Sequence, residues 1–299
     1  MPTVILTGAT RGIGHAAAIE LASRGVELGV VGRDAERVRA TADEARASGD
    51  GMRVQEHVAD LAQMDEVRRL AGELLETYPR IDVLANNAGA MFTSRHVTAD
   101  GFEQTFALNH LAPFLLTNLL LERLTESRAR VVTTASDAHK GASLDLENLQ
   151  SEGGRFRAGN VYGMTKLCNV LFTRELQRRN PAIAANCFHP GVIRTGFGKN
   201  DGALVRIGLT LAGPFLRSPE SGASSLVWLA LDPAARELRG EYVEKGRPTE
   251  PSTQAQDDAL AAALWERSEE LLAHVMGSSA PGPAELSRPM PDDREDAGA

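Results

Sequence analysis

An α/β architecture, a doubly wound sheet of seven parallel strands in a single domain, is the fold the sequence predicts, and three observations predict it. Short runs rich in valine and isoleucine alternate with longer amphipathic segments, the pattern of repeated strand–helix units whose strands are covered on both faces. Three glycines cluster where the first such run gives way to the first helical pattern. The chain is 299 residues long, 42% hydrophobic and 24% charged, which suits one large domain with a sizeable core.

The elements alternate regularly along the chain. A strand over Thr3–Leu6 leads into a helix over Ile13–Ser23, Val26–Val31 into Ala35–Ala47, and Met52–Val58 into Gln63–Thr77. Ile81–Ala85 precedes a long helical pattern, Phe102–Leu124; Arg130–Thr134 precedes Val161–Arg179; Ile183–Phe188 precedes Pro219–Leu231; Glu241–Glu244 is the last strand. A helix over Thr253–Val275, opened by a Thr253/Gln256 capping box, aligns Leu260, Leu264, Leu271 and Val275 on one face and closes the core. The domain is therefore expected to span residues 1–276. Two stretches break the rhythm. Residues 198–218 carry Leu204, Ile207, Leu211 and Phe215 between the sixth strand and the next helix, and are read as an apolar flap over a ligand crevice beyond the strand ends. Residues 277–299, rich in proline, glycine and acidic side chains, are expected to form a disordered tail.

Charge and composition narrow the partners. A net charge of -8 argues against nucleic acid or anionic lipid, whose phosphates attract a basic surface, and leaves a small molecule as the expected partner. No run approaches the ~18 apolar residues that cross a bilayer, and the opening "TVILTG" has no basic start followed by a signal core, so a cytoplasmic location is expected. The two cysteines, Cys168 and Cys187, lie in apolar contexts without ligand spacing; both are read as buried thiols, with neither disulfide nor metal implied.

The glycine cluster reads Thr7-Gly8-Ala9-Thr10-Arg11-Gly12-Ile13-Gly14. Glycines at a strand-to-helix turn let the backbone approach a pyrophosphate at the positive end of the helix. The second strand ends Val31-Gly32-Arg33-Asp34. An acid directly ending that strand would suit the ribose hydroxyl of NAD, whereas an arginine suits the 2'-phosphate of NADP. Arg33 holds that place, with Arg11 available from the glycine turn, so NADP (NADPH) is the expected cofactor.

With these residues in view, the chain resembles the short-chain dehydrogenase/reductase family over about residues 3–275, and the fold is then Rossmann-like. The resemblance assigns Gly8, Thr10, Arg11, Gly12, Ile13 and Gly14 to the cofactor's phosphates, and Asp60 with Leu61, in "VADLAQ", to its adenine. "NNAG" at Asn86 to Gly89 is largely structural in the family; Asn86 and Gly89 lie near the cofactor, and Asn87, Ala88 and Gly89 are counted in its binding set. In "HPGVIRT", Pro190 and Gly191 turn the chain, Ile193 offers backbone groups to the nicotinamide amide and Thr195 reaches the amide or phosphates, while His189 is read as structural.

Reduction of a carbonyl builds negative charge on oxygen, so a site for it needs a proton donor and a cradle of donors. Tyr162 and Lys166 stand four residues apart on one helix face. An ammonium ~4 Å from a phenol, at an effective dielectric near 20, favours the phenolate by about 4 kcal/mol before desolvation. The resemblance makes Tyr162 the general acid/base and has Lys166 lower its pKa and grip the nicotinamide ribose, so both also belong to the cofactor set. It further implies that Ser136 orients the substrate oxygen and that Asn109 holds a water linking the lysine to solvent; on its own, Asn109 beside Pro113 reads as a helix kink. The serine that usually precedes Ser136 is Ala135 here. "SDAHK", with His139 read as structural, "FLLTNLLLERL" and "DDALAAALWERSEELL" resemble the retinol-dehydrogenase-like branch.

The expected activity is that of an oxidoreductase, transferring pro-S hydride between NADP(H) and a ketone, aldehyde or alcohol. The apolar flap suggests a bulky lipophilic or polycyclic, secondary-metabolite-like substrate. Two other readings stay open: an epimerase or dehydratase that uses hydride transfer transiently, and a noncatalytic NADP-binding regulator. The family often pairs the helices carrying Asn109 and Tyr162 between subunits, which makes a homo-oligomer a further expectation.

Overall fold

A computed structural model describes residues 1–49, 53–191 and 218–276. The flap, apart from Ser218, and the tail expected from the sequence lie outside these residues, as do Ile193 and Thr195. The central sheet runs in the order β3-β2-β1-β4-β5-β6-β7-β8. Its strands are β1 (Thr3–Thr7), β2 (Glu27–Gly32), β3 (Val54–Val58), β4 (Val83–Asn86), β5 (Arg130–Thr134), β6 (Ala184–His189), β7 (Tyr242–Glu244) and β8 (Arg247–Pro248). The first seven are parallel, as expected. The eighth, beyond the seven expected, is a two-residue antiparallel strand against β7, returned by a turn in which Lys245 and Gly246 take positive φ, 54° and 73°.

Strand order reverses between β1 and β4: β2 and β3 lie to one side of β1, and β4 to β8 to the other. In a doubly wound sheet the crevice beyond the C-terminal strand ends at that reversal receives the ligand. The helices α1 (Gly12–Ser23), α2 (Ala35–Ser48) and α8 (Pro219–Leu231) cover one face, burying Val4, Leu6, Leu28 and Val30 of the sheet against Leu21, Val38 and Leu226. On the opposite face lie α3 (Met64–Thr77), α5 (Ala112–Leu119), α7 (Ala158–Arg179) and α9 (Asp258–Met276), with Ile5, Leu84 and Val131 packed against Leu70, Leu116, Leu167 and Leu264.

The long helical pattern expected at Phe102–Leu124 is broken. It starts as a single turn, α4 (Gln104–Phe106), passes through a π-helical turn at Ala107–Leu111, and continues as α5 and α6 (Leu121–Glu126). Pro113 has no amide to give to the carbonyl of Asn109, which a regular α-helix would require, and the amide of Ala112 bonds instead to Ala107, five residues back. The capping box expected at Thr253/Gln256 does not form: those residues make a 3-10 turn without a side-chain cap. The Asp257 carboxylate accepts from the amide of Leu260 at 3.0 Å and opens α9 in its place. Trp265 of α9 packs edge-on to Phe114 of α5, with ring centroids 4.8 Å apart, and stacks on Phe172 of α7 at 5.9 Å.

Candidate active site

The crevice predicted at the strand reversal is present as a cleft of about 750 Å³. Its floor is the glycine turn. Gly8 has φ +64°, and a Cβ there would stand 2.7 Å from the Ala88 Cα; at Gly14 it would stand 2.1 Å from the Gly8 carbonyl. No larger residue fits at Gly14 without moving the backbone. The first turn of α1 holds no acidic residue and its N-terminus has no side-chain cap, so its amides are left to an outside acceptor, the condition under which a helix start binds an anion.

Asn87 holds this floor in shape. Its amide nitrogen donates to the carbonyls of Thr7 (3.0 Å) and Gly8 (3.3 Å), and its side-chain oxygen accepts from the Thr134 hydroxyl at 3.2 Å. One side chain therefore joins the ends of β1, β4 and β5. Asn86 turns the other way and donates to Thr117 Oγ1 at 3.0 Å inside the core.

Of the residues expected from the sequence, Gly8, Thr10, Arg11, Gly12, Ile13, Gly14, Arg33, Asp60, Leu61, Asn87, Ala88, Gly89, Tyr162, Lys166 and Pro190 all line the cleft. Gly191 follows with φ +88° but is not part of the described wall. Three of the groups in the wall that were not expected from the sequence bear on its chemistry. Arg37 lies in the first turn of α2, and its guanidinium pairs with Asp34 at 3.4 Å. Asp34 also caps α2, accepting the Arg37 amide at 3.2 Å, and this double engagement leaves a basic edge beside the cleft. Met91 to Ser94 with His96 make the wall beyond Gly89, and Thr134 and Ala135 the end of β5; no spacing rule marks either.

Lys166 is 2% exposed. Its Nζ donates to the Thr134 carbonyl at 2.8 Å and sits 5.6 Å from the centroid of the Tyr162 ring. Gly89 gives it room, since a Cβ at that position would lie 3.4 Å from Nζ. Burial lowers the lysine pKa to about 8. Tyr162 moves the opposite way: burial raises its pKa, and a hydrogen bond with Ser136 offsets only part of the rise. Desolvation disfavours both charged forms at once, and on the tyrosine its rise is the net direction, against which the lowering by the lysine that the resemblance implies would act.

Ser136 lies just past β5, outside the described wall, and meets the cleft through that bond to Tyr162. Asn109 is wholly buried behind the wall, exchanging two hydrogen bonds of 2.9 Å with the backbone of Ala90 and donating to Thr165 Oγ1 at 3.0 Å. It braces the segment after Gly89 against the tyrosine helix. Among the described residues no cluster of side chains suited to a metal ion occurs, and no helix is long and apolar enough to cross a membrane. Cys168 and Cys187 are both buried free thiols.

The family model described as short chain dehydrogenase matches residues 2–203. The chain belongs to the short-chain dehydrogenase/reductase family. Within it, this dehydrogenase/reductase is 43% identical over 270 residues to a Streptomyces sp. (strain C5) protein bearing the name "putative daunorubicin C-13 ketoreductase", covering 89% of this chain and 91% of that one. It is 36% identical over 297 residues to human retinol dehydrogenase 13, covering 97% and 88%. It also shares its fold, with a TM-score of 0.65 and 26% identity over 81% of this chain and 93% of the other, with the Pseudomonas aeruginosa RhlG/NADP active-site complex. This short-chain dehydrogenase/reductase is thus of the retinol-dehydrogenase-like kind, a hydride-transferring oxidoreductase. The nicotinamide cofactor of the family fits the residues present: a glycine floor that a Cβ would fill, an open helix start, and a buried ammonium beside a phenol.

Proposed function

We propose that this enzyme is an NADP(H)-dependent reductase of ketones or aldehydes, or the corresponding alcohol dehydrogenase, acting on a bulky lipophilic or polycyclic compound. The observation that carries the chemistry is the convergence of Lys166 Nζ on the Tyr162 ring, 5.6 Å from its centroid, beside a glycine turn built to approach phosphate. The bound nicotinamide supplies or receives the hydride. Tyr162 gives a proton to the substrate oxygen or removes it, Ser136 orients that oxygen, Lys166 holds the ribose and feeds the proton path, and Asn109 braces the wall between them.

The choice of NADP rests on Arg11, Arg33 and Arg37 along one edge of the cleft, with Asp34 already engaged by Arg37. A guanidinium pairs with a 2'-phosphate through charge-assisted hydrogen bonds that a ribose hydroxyl cannot match. The ketoreductase named above supports the polycyclic substrate, as do Met91 and Phe92 in the wall beyond Gly89.

Two measurements test the reading. NADPH should bind more than about tenfold tighter than NADH in a fluorescence titration; equal affinities would remove the NADP assignment. Tyr162→Phe should lower kcat for NADPH oxidation with a reactive vicinal diketone by about 10²-fold or more while leaving NADPH affinity unchanged. Full activity in that variant would remove Tyr162 as the acid/base, and a parent protein that oxidises no NADPH with any carbonyl would be left with a binding role.

A further inference from the structure

Behind Ser136 lies a buried histidine with no part in the chemistry so far. His139 is fully enclosed, and each ring nitrogen meets a backbone group. Nε2 faces the amide of Ser252 at 3.1 Å and Nδ1 faces the carbonyl of Ser136 at 2.6 Å. An amide can only donate, so Nε2 carries the lone pair; the ring proton is then on Nδ1, pointed at Ser136. The two backbone partners fix a single neutral tautomer. Burial also lowers the pKa of His139, which keeps that form through neutral pH.

The surroundings hold the same short stretch from its other sides. The amide of Asp137 donates to His189 Nδ1 at 3.2 Å. The Asp137 carboxylate accepts from the Tyr242 hydroxyl at 2.9 Å and pairs with Lys140 at 2.7 Å. Tyr242 in turn packs edge-on to the His139 ring, centroids 4.9 Å apart. Ser136 is therefore tied at its carbonyl by His139 and at the next amide by His189. Only its hydroxyl, which also caps the following turn by accepting from the Ala138 amide at 3.2 Å, faces Tyr162.

The geometry points to His139 as a positioning residue: it joins the C-terminal segment at Ser252 to the backbone of Ser136 and so sets where the serine hydroxyl stands relative to Tyr162. The inference rests on the role proposed for Ser136. The amide of His139 also donates to the Ser136 carbonyl, at 3.1 Å; this bond survives any substitution, so the ring bond alone is at issue.

Two substitutions separate the arms of the ring. His139→Asn carries an amide nitrogen where Nδ1 stood, keeping the bond to Ser136 and losing the one to Ser252. His139→Gln carries a carbonyl oxygen where Nε2 stood, keeping Ser252 and losing Ser136. Both give up the packing on Tyr242, so a merely structural histidine predicts equal losses. On the positioning role, His139→Gln lowers kcat for diketone reduction by about 10²-fold with NADPH affinity unchanged, while His139→Asn stays within about threefold of the parent. Equal kcat in the two variants, or an unaffected His139→Gln, overturns it.

A cycle with Ser136→Ala separates this inference from the reading beneath it. If Ser136→Ala leaves a low residual rate and His139→Gln does not lower that rate further, the histidine acts through the serine, whereas a further drop of about 10²-fold overturns that. If Ser136→Ala is strongly impaired and His139→Gln alone is fully active, only the histidine's role fails. A fully active Ser136→Ala removes the role of Ser136 itself. Should His139→Gln not fold, the ring of the intact protein still decides: ¹⁵N shifts of labelled histidine, assigned against His139→Asn, should report Nδ1–H, and an Nε2–H tautomer overturns the arrangement.

Discussion

Lys166 carries a charge in a place that disfavours it, and the sign of that burden can be read against pH. Its folded pKa of about 8 lies below the ordinary 10.5, so between those values the unfolded chain holds a proton that the folded chain has lost. Stability therefore gains from this group as pH rises from about 8 to 10.5, and the burial penalty is present in full below about 8. Activity that needs the ammonium should run the other way, with kcat/KM falling above about pH 8. Lys166→Met should be inactive yet melt higher than the parent at pH 7, the difference shrinking as pH approaches 10; Asn169, which donates to the Thr134 carbonyl at 3.2 Å, keeps that acceptor served. A melting difference that grew with pH would show that the amine gains a partner on folding. At the other end of the cleft, Arg37→Ala should weaken NADPH by about tenfold and leave NADH unaffected, and isothermal titration with both cofactors checks it. Arg33 was legible as the residue ending a strand. Arg37 was not, because its place on the cleft edge depends on how α2 leaves that strand.

At the level of the elements, the boundaries expected from the sequence hold where periodicity and packing agree: β5 and α8 begin and end as expected. They fail where backbone hydrogen bonding decides. The helix over Phe102–Leu124 had an unbroken apolar pattern, and only Pro113 carried the signal that the ladder must shift to a π-helical turn. That turn is where Asn109 leaves the helix to bond Ala90, so the irregularity and the candidate site are one feature. The two-residue β8 was below what alternation can mark. α9 was legible as an amphipathic helix, but not its target. It lies across α5 and α7, the helices that carry Pro113 and Tyr162, and its Ser268 hydroxyl meets the buried His110 Nε2 at 2.9 Å. Burial holds the pKa of His110 down to about 3, so this bond is made by a neutral ring. Trp265 is 3% exposed between Phe114 and Phe172. Trp265→Ala should cost about 3–5 kcal/mol in a urea unfolding experiment. A loss below about 1 kcal/mol would mean that α9 contributes little to holding α5 and α7.

Across the whole molecule, the cleft lies where the two halves of the sheet meet, so the ligand that fills it contacts both. Right-handed crossovers put helices on both faces of the sheet, and the β3-to-β4 connection, which passes β2 and β1, opens the crevice; alternating elements plus one glycine turn at the end of β1 made its place legible in the sequence. The cleft wall proposed for the substrate was less legible, since Met91, Phe92 and His96 follow no motif and reach the wall only through the path of the chain after Gly89. A cofactor bridging β1, β2, β4 and α7 must stabilise the fold as a unit, by about 2.7 kcal/mol at a hundredfold excess over Kd. NADPH should therefore raise the melting temperature in one cooperative transition, and NADH at the same concentration should raise it less. Tyr162→Phe should retain the NADPH shift while losing turnover. Gly14→Ala, whose Cβ would press on the Gly8 carbonyl from 2.1 Å, should lose the shift and turnover together. A Gly14→Ala protein that still melted higher with NADPH would mean that the cofactor does not lie on the glycine turn, and the phosphate-binding role of α1 would fall with it.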